Sequence, residues 1–212
     1  MSHILVASRL SEAGARPARE DYRMPVNENL SWSEVGAIST GANSVADAFK
    51  LKYAEKVLLT LGTKLYKFND FNSPTAPGSK VLSPWWSPYD DYRHDGGWEQ
   101  RKKLAKLLGV SIREFGRVTS AVKENWNSLQ YLLVVTLSQA VYAFFGDFAQ
   151  QPRQDAGTVS KRVISAPAAG GAFLAESRRA TKNLPGGGTQ FYIPNLTLDQ
   201  VASWRVESLL GS

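Results

Sequence analysis

One stretch joins a glycine-rich turn to a predicted strand: Leu184-Pro185-Gly186-Gly187-Gly188-Thr189-Gln190-Phe191-Tyr192-Ile193-Pro194. Three consecutive glycines permit positive φ and let a ligand or another backbone segment approach closely. Apart from Gln190, the residues from Thr189 to Ile193 are β-branched or aromatic, which favours a strand that ends at Pro194. Gln190 therefore leaves the turn as a partly exposed amide within reach of a ligand. The alternative is a plain glycine-rich turn at a sheet edge.

Two earlier segments carry related signals: Leu61-Gly62-Thr63-Lys64-Leu65-Tyr66-Lys67-Phe68 and Val81-Leu82-Ser83-Pro84-Trp85-Trp86-Ser87-Pro88-Tyr89-Asp90-Asp91-Tyr92-Arg93. The first predicts a strand over residues 64–68, after a turn at Gly62. The second has two Ser-Pro steps, which exclude a regular helix. The residues between them, 69–80, are dense in Pro, Ser, Asn and Gly and predict a loop.

Together these three segments resemble the tuberculosis necrotizing toxin family of NAD glycohydrolases, which has an ADP-ribosyltransferase-like fold. That family shows a Gly-Thr-(basic)-x-x-Arg-Phe strand, a Ser-Pro turn with a (Thr/Ser)-Pro-(Tyr/Phe) step and a downstream Arg, and Gly-Gly-(Gly)-x-Gln before a strand. The resemblance covers residues 61–93 and 184–194, about a fifth of the 212 residues, and Lys67 stands where the family has Arg. The matching residues are Lys67, Ser83, Pro84, Ser87, Pro88, Tyr89, Arg93 and Gly186 to Gln190.

The resemblance implies a toxin or effector that consumes NAD by cleaving its nicotinamide–ribose bond. This cleavage builds positive charge on the ribose, so the site must dock the pyrophosphate and orient the ribose hydroxyls. Gln190 would then bond the ribose 2′-hydroxyl, and Lys67 would contact the phosphates. The other implied NAD-binding residues are Ser83, Arg93, Trp85, Trp86, Tyr89, Gly187 and Gly188.

Each of these residues also has a purely structural interpretation. Lys67 is compatible with the solvated face of a strand, and Ser83 with a turn. The tryptophan pair Trp85-Trp86 is compatible with core packing, and Arg93 with ion pairs to neighbouring aspartates.

The acceptor of the ADP-ribosyl group is a separate question. Transferases that modify proteins usually carry a Glu two residues after a Gln or Glu, but Tyr192 occupies that position here. The pattern favours water as the acceptor. A neutral amide cannot act as a general base, so any activating carboxylate must come from elsewhere, with Glu176 and Asp199 as candidates. A mono-ADP-ribosyltransferase acting on a protein or nucleic acid is the alternative.

Composition bounds these hypotheses. A hydrophobic fraction of 43% and a charged fraction of 21% indicate a globular chain, and the net charge of +6 suits an anionic ligand or surface. The absence of cysteine and the presence of only two histidines argue against thiolate sites, His-built metal sites and a Ser-His-Asp triad. NAD is therefore expected as a substrate without a metal. A basic nucleic-acid-binding protein, with Arg101-Lys102-Lys103 in its patch, and a structural or adaptor protein are the competing hypotheses.

The N-terminal region, residues 1–42, has no clear periodicity and predicts a flexible or loosely packed arm, followed by a single catalytic domain over residues 43–212. Residues 1–10 have no long apolar run, so the arm does not match a classical secretory signal. For an effector, this favours delivery to the cytosol of a target cell by another route. The expected partners are NAD, a cognate inhibitor or immunity protein, and a protein acceptor if transfer occurs.

The predicted fold is α+β, with a small bent or split sheet and packed helices. The longest predicted helix follows the Ser111 cap and runs to Gln150; its segment 125–146 carries no charge but several polar residues, which favours a buried core helix over a membrane span. The other predicted helices cover residues 43–59, 99–108, 173–182 and 198–210. The predicted strands are Lys64–Phe68, Val163–Ala166 and Thr189–Ile193.

Overall fold

The computed structural model describes residues 24–41, 43–161 and 182–210. The α-helices are α1 (Trp32–Gly36), α2 (Gly97–Leu107) and α3 (Ile112–Thr119), and short 3-10 helices cover Val45–Ala48, Lys50–Lys52 and Leu198–Gln200. The strands are β1 (Glu55–Leu59), β2 (Lys64–Asn69), β3 (Trp85–Pro88), β4 (Tyr131–Leu137), β5 (Val141–Asp147), β6 (Gln151–Pro152), β7 (Asn183–Leu184), β8 (Thr189–Tyr192) and β9 (Val201–Ser208).

The main sheet has seven strands in the order β1-β5-β8-β3-β2-β4-β9, and its neighbouring strands pair in antiparallel orientation. β6 and β7 form a separate two-stranded ladder. With its few helices, the protein is a mixed α+β fold built on a mostly antiparallel sheet, as the sequence predicted at this coarse level. The sheet is larger than the predicted one.

β3 divides the sheet into two halves. Trp85 and Trp86 pair with β8, whereas Ser87 and Pro88 pair with β2. The strand therefore changes partner at its centre. Because neither neighbour follows β3 along its whole length, β2 and β8 diverge from it.

The core covers both faces of β4. Leu133 and Val135 belong to a cluster that includes Trp86 and Phe191, while Leu132 and Val134 belong to another cluster beneath α2 and α3. Alternate side chains of a strand point to opposite faces, so both faces of this strand are buried. A third cluster, around Val35, Phe49 and Phe144, packs against β5 and β8.

The predicted long helix over residues 111–150 is wrong. The helix that Ser111 caps ends at Thr119, irregular structure covers residues 120–130, and β4 and β5 follow. The two strands do not pair with each other, because β4 lies between β2 and β9 and β5 lies between β1 and β8. The apolar run is buried as predicted, but a strand with two covered faces gives a near-continuous apolar sequence that periodicity alone cannot distinguish from a buried helix. The described residues include no helix long and apolar enough to cross a membrane.

Two other predicted helices are also wrong. The segment 43–59 contains two short 3-10 helices and then β1, which pairs with β5 along its length. The segment 198–210 contains one 3-10 turn and then β9, which pairs with β4. In both cases pairing with an apolar strand, β5 for the first segment and β4 for the second, overrides the local helical spacing.

Other predictions are confirmed. β2 covers the predicted strand over residues 64–68, β8 covers most of 189–193, and α2 matches the predicted helix over 99–108. The Ser111 hydroxyl accepts a hydrogen bond from the Glu114 N–H at 3.2 Å, as expected for an N-cap. The predicted strand 163–166 lies outside the described residues, as does the predicted helix from 173, except for Lys182.

Within the predicted N-terminal arm, residues 24–41 are packed against the rest of the protein. Val35 of α1 is buried in the third cluster, and Val26 forms a parallel bridge to Val141 of β5. Asn27 also donates a hydrogen bond to the Pro194 carbonyl at 2.6 Å. These contacts tie the start of the described chain to β5 and to the end of β8.

Candidate functional site

A cleft of about 420 Å³ lies over β3, at the point where this strand changes partner. The pairing of β3 with β2 ends at Tyr66, and its pairing with β8 ends at Phe191. Lys67 and Gln190 are the next residues on these two strands, so both lie just beyond the pairing with β3. Both side chains line the cleft. Its other walls come from the segments 40–48, 120–127 and 148–151 and from Ser83, Trp85, Trp86 and Ser87.

Lys67 is a partly buried cation in this cleft. Burial lowers the pKa of Lys67 from 10.5 to about 8, and the nearby Asp70 carboxylate opposes only part of that change. Its Nζ lies 6.0 Å from the centroid of the Trp86 ring. Among the described residues, no carboxylate lies within ion-pair distance of Nζ, so the ammonium group is free to meet an anionic ligand.

Gln190 is buried, with 1% of its surface exposed, whereas the sequence suggested a partly exposed side chain. Its Nε2 donates a hydrogen bond to the Ala48 carbonyl at 2.7 Å. The amide therefore joins β8 to the 3-10 helix 45–48. Its donor group has a structural role, and its carbonyl oxygen has no hydrogen-bond partner among the described residues.

The glycines before Gln190 serve packing more than ligand access. Gly186 has φ +76°, and a Cβ there would lie 2.6 Å from the Phe148 carbonyl oxygen. A Cβ on Gly188 would meet the Arg101 guanidinium at 2.5 Å. The N–H groups of Gly186 and Gly188 donate to the carbonyls of Val118 and Thr119 at the end of α3. The expected NAD-binding positions Gly187 and Gly188 do not line the cleft.

Three aromatic or hydroxyl candidates from the Ser-Pro segment line the cleft, namely Ser83, Trp85 and Trp86. The Trp86 indole donates to the Ser83 carbonyl at 2.6 Å, and the Ser83 hydroxyl accepts from the Trp85 N–H at 3.3 Å. Trp86 is fully buried in the core, and Trp85 is partly exposed. Trp85 is therefore the better placed of the two to contact a bound ring.

Two other candidates lie elsewhere. Arg93 forms a bidentate ion pair with Glu55 at 2.5 and 3.0 Å and does not line the cleft. The prediction that Arg93 pairs with the neighbouring aspartates is wrong. The chain turns at Arg93, with φ 51°, and the side chain pairs with Glu55 of β1 instead. The Tyr89 hydroxyl accepts a hydrogen bond from Arg205 of β9 at 2.6 Å, outside the cleft.

The carboxylate at the cleft is Asp47, which the sequence analysis did not single out. Its pKa is lowered to about 2, first by the Ser44 N–H and then by Lys52 and the Ser44 hydroxyl. The Ser-x-x-Asp spacing of a helix N-terminus was a usable signal for it. Of the carboxylates considered from the sequence, Asp199 pairs with Lys80 away from the cleft, and Glu176 lies outside the described residues.

Tyr66 and Ser120 are two further cleft residues that sequence reasoning missed. Tyr66 precedes Lys67 on β2, and strand alternation places neighbouring side chains on opposite faces, which argued against a shared site. Tyr66 and Lys67 nevertheless both line the cleft. Ser120 fell inside the predicted long helix, where nothing in the sequence marked it.

Comparison of the chain with protein-family models, with curated proteins and with solved structures found no match in any of the three. Function must therefore be argued from the cleft itself. The described residues also contain no cluster of three or more His, Cys, Asp or Glu side chains that could hold a metal ion.

The cleft combines three kinds of chemistry. Lys67 offers a free cation for an anionic group. Asp47 offers an ionised carboxylate that would favour a cationic group, although Lys52 at 2.9 Å already offsets part of its charge. Trp85 offers an aromatic surface for a planar ring. A ligand that carries phosphate, a planar ring and positive charge matches this set.

Proposed function

We propose that the protein is an NAD-consuming enzyme that cleaves the nicotinamide–ribose bond with water as the acceptor. One observation carries the proposal: Lys67, Ser83, Trp85, Trp86 and Gln190 come from three separate segments yet line one cleft. These segments were chosen from the sequence because they resemble NAD glycohydrolases. Of the nine residues that the resemblance implied, these five line the cleft, whereas Tyr89, Arg93, Gly187 and Gly188 do not.

The architecture supports the finer fold proposal, an ADP-ribosyltransferase-like fold. A mostly antiparallel sheet that is split at β3, with a cleft over the division, suits the bent or split sheet expected from the resemblance. Of the residues that carry the resemblance, Lys67 lies on β2, Ser87 and Pro88 lie on β3, and Thr189 and Gln190 lie on β8, the three strands that meet there. The others lie in the segments next to these strands.

In the proposed reaction, the bond between the ribose C1′ and the nicotinamide nitrogen breaks, and both electrons leave with the nicotinamide. Water then adds its oxygen to C1′ and loses a proton to solvent, which gives ADP-ribose. Lys67 holds the pyrophosphate, Trp85 stacks on a ring, and the Gln190 carbonyl oxygen accepts from a ribose hydroxyl.

The Asp47 carboxylate acts by charge in this scheme. A carboxylate whose pKa is lowered to about 2 is a weak proton acceptor, so it is poorly suited to general-base catalysis. Its negative charge would instead stabilise the cationic nicotinamide and then the cationic ribose. Since nicotinamide is a good leaving group, little acid or base assistance is required.

The test is nicotinamide release from NAD by the wild type and by Lys67→Met, Lys67→Arg and Lys64→Met. Lys64 lies on the same strand but pairs with Asp90 outside the cleft, so it is a matched control. We expect kcat/KM to fall about 100-fold in Lys67→Met and to stay unchanged in Lys64→Met. Lys67→Arg restores the family residue and should keep or raise activity, because a guanidinium can bind phosphate with two hydrogen bonds.

Two outcomes decide against parts of the proposal. If labelled ADP-ribose moves from NAD to an added protein or nucleic acid faster than to water, the protein is a transferase. If the wild type neither releases nicotinamide nor transfers ADP-ribose, with candidate protein acceptors present, the NAD proposal is wrong.

A further inference from the structure

Two buried hydroxyl groups in the cleft lack a hydrogen-bond partner among the described residues. They are Tyr66 Oη and Ser120 Oγ, in side chains that belong to residues with 1% and 4% exposure. Folded proteins pair nearly all buried polar atoms, because an unpaired one has lost its hydrogen bonds to water. Two such atoms in one cleft therefore need an explanation.

Hydrogen-bond acceptors are available near these hydroxyls, so a lack of acceptors does not explain why they are unpaired. The Thr119 hydroxyl donates to the Phe115 carbonyl at 2.9 Å, one turn earlier in α3. Ser120 follows it directly and lines the cleft, yet its buried hydroxyl forms no such bond. The next residue, Ala121, has φ 47°, so the chain leaves the helix sharply just after Ser120.

The second unpaired hydroxyl belongs to Tyr66, whose ring is held in place by its neighbours. Its ring packs against Phe68 and Trp98, at centroid distances of 5.9 and 5.0 Å, which fixes the ring in the core below α2. The closest hydroxyl is that of Ser87, which donates to the Thr189 carbonyl at 3.2 Å. That bond uses the one proton of the Ser87 hydroxyl but leaves its oxygen able to accept, and its contact with the Tyr66 hydroxyl is not a hydrogen bond of normal length and angle.

The charges around these hydroxyls are balanced. Burial raises the pKa of Tyr66 to about 12, so the phenol keeps its proton and remains a donor at neutral pH. The guanidinium of Arg101 lies 6.0 Å from the Tyr66 ring but is paired with both oxygens of Asp95 at 3.0 and 2.8 Å. An uncharged ligand group with its own donor and acceptor fits such surroundings better than a second anion.

We propose that the hydroxyls of Tyr66 and Ser120 bind an uncharged hydrogen-bonding group of the ligand, deep in the cleft and separate from the Lys67 phosphate contact. The inference rests on the proposed function, since NAD carries two such groups, the carboxamide of nicotinamide and the hydroxyls of ribose. In the free protein both hydroxyls lack partners, and the ligand supplies them.

The experiment compares Tyr66→Phe and Ser120→Ala with the wild type, and uses Ser128→Ala as the control. Ser128 is equally buried, but its hydroxyl donates to the Asp70 carboxylate at 2.6 Å, outside the cleft. Melting curves are recorded for the free proteins. Dissociation constants are measured for nicotinamide, which has the carboxamide alone, and for ADP-ribose, which has the ribose without nicotinamide.

We expect Tyr66→Phe and Ser120→Ala to melt at or above the wild-type temperature, because neither variant loses a hydrogen bond within the protein. Each should weaken binding about tenfold for one of the two probes. Weaker nicotinamide binding assigns the hydroxyls to the carboxamide, and weaker ADP-ribose binding assigns them to the ribose. Ser128→Ala should melt lower and bind both probes normally.

Normal binding of both probes by both variants, with an active wild type, overturns this inference and leaves the proposed function standing. A loss of melting temperature as large as that of Ser128→Ala also overturns it, because the hydroxyls would then have partners within the protein. A wild type that binds neither probe and releases no nicotinamide overturns the proposed function and this inference together.

Discussion

Lys67 is a charged residue whose burial should be measurable without any ligand. Its pKa in the folded protein, about 8, is below the ordinary value of 10.5, so between these pH values the unfolded chain binds more protons. The destabilisation that results is fully present below pH 8 and fades as the pH rises towards 10.5. Lys67→Met should therefore be more stable than the wild type at pH 7, by about 1–3 kcal/mol.

This difference in unfolding free energy should shrink by pH 10. The measurement is urea unfolding of both proteins at pH 7 and pH 10, with Lys64→Met as the control for loss of an exposed lysine. A difference that stays constant with pH would show that Lys67 keeps an ordinary pKa.

Gln190 links packing and the proposed chemistry, so its variants must be examined for both. Gln190→Ala removes the donor to the Ala48 carbonyl, and we expect it to lower the unfolding free energy by about 1–3 kcal/mol. If the amide also contacts the ribose, nicotinamide release should fall about 100-fold even where the variant is fully folded.

Gln190→Glu sharpens this test. An ionised glutamate cannot donate to Ala48, so this variant should be less stable than the wild type at pH 8 and recover part of the difference at pH 5, where protonation restores a donor. Melting curves and nicotinamide release at both pH values provide the measurement. Full stability and activity in Gln190→Ala would exclude Gln190 from both roles.

The sequence pointed to most of the cleft's strand residues because each stands next to a local signal, such as a Ser-Pro step or a glycine turn. It failed for Arg93, because its partner Glu55 lies 38 positions away and only the tertiary fold brings them together. It failed for Tyr66 and Ser120 because an unpaired hydroxyl has no sequence signature. Such groups become visible only when the positions of all their neighbours are known.

At the scale of the element, the glycine turn before β8 yields a matched pair of variants. Gly186 and Gly187 both have positive φ, but a Cβ would meet the Phe148 carbonyl only at Gly186 and would have open space at Gly187. Gly187→Ala should therefore cost about 1–2 kcal/mol, for backbone strain alone. Gly186→Ala should cost about 1–3 kcal/mol more, because the clash is with backbone.

Chemical denaturation of these two variants provides the check. Equal costs would mean that the turn can move away from Phe148. In that case the glycines would serve backbone conformation only, and the close approach between this turn and the end of β5 would not constrain the sequence.

Burial of both faces explains the failed prediction at β4, whereas β1 and β9, which keep exposed side chains, were mispredicted because they pair with distant strands. α2 has a solvent face and ends before Gly109, and its bounds were predicted within two residues. β4 has its side chains covered on both sides, so its apolar run lacks the alternation that identifies a strand. Ser138 and Gln139, which lie in the break between β4 and β5, were the overlooked sign that the apolar run is interrupted.

At the scale of the whole molecule, the class of fold was predictable but the strand order was not. Composition and the mixture of element types indicate α+β. The order depends on pairings such as β1 with β5 and β4 with β9, which join distant parts of the chain. A single sequence does not show which distant segments pair. The split at β3 and the cleft above it could therefore be suggested only by the resemblance to NAD glycohydrolases.

The position of β8 between β5 and β3 has a consequence for how the protein is made. β8 begins at Thr189, so it is synthesised after β3 and β5, the two strands that flank it in the sheet. Until then β5 and β3 each present an unpaired edge, which is prone to association with other chains. Pairings between distant segments also form slowly. Gln190 arrives with this strand, so a nascent chain without β8 lacks one wall of the cleft, and any reaction that requires this wall starts only after β8 has been made.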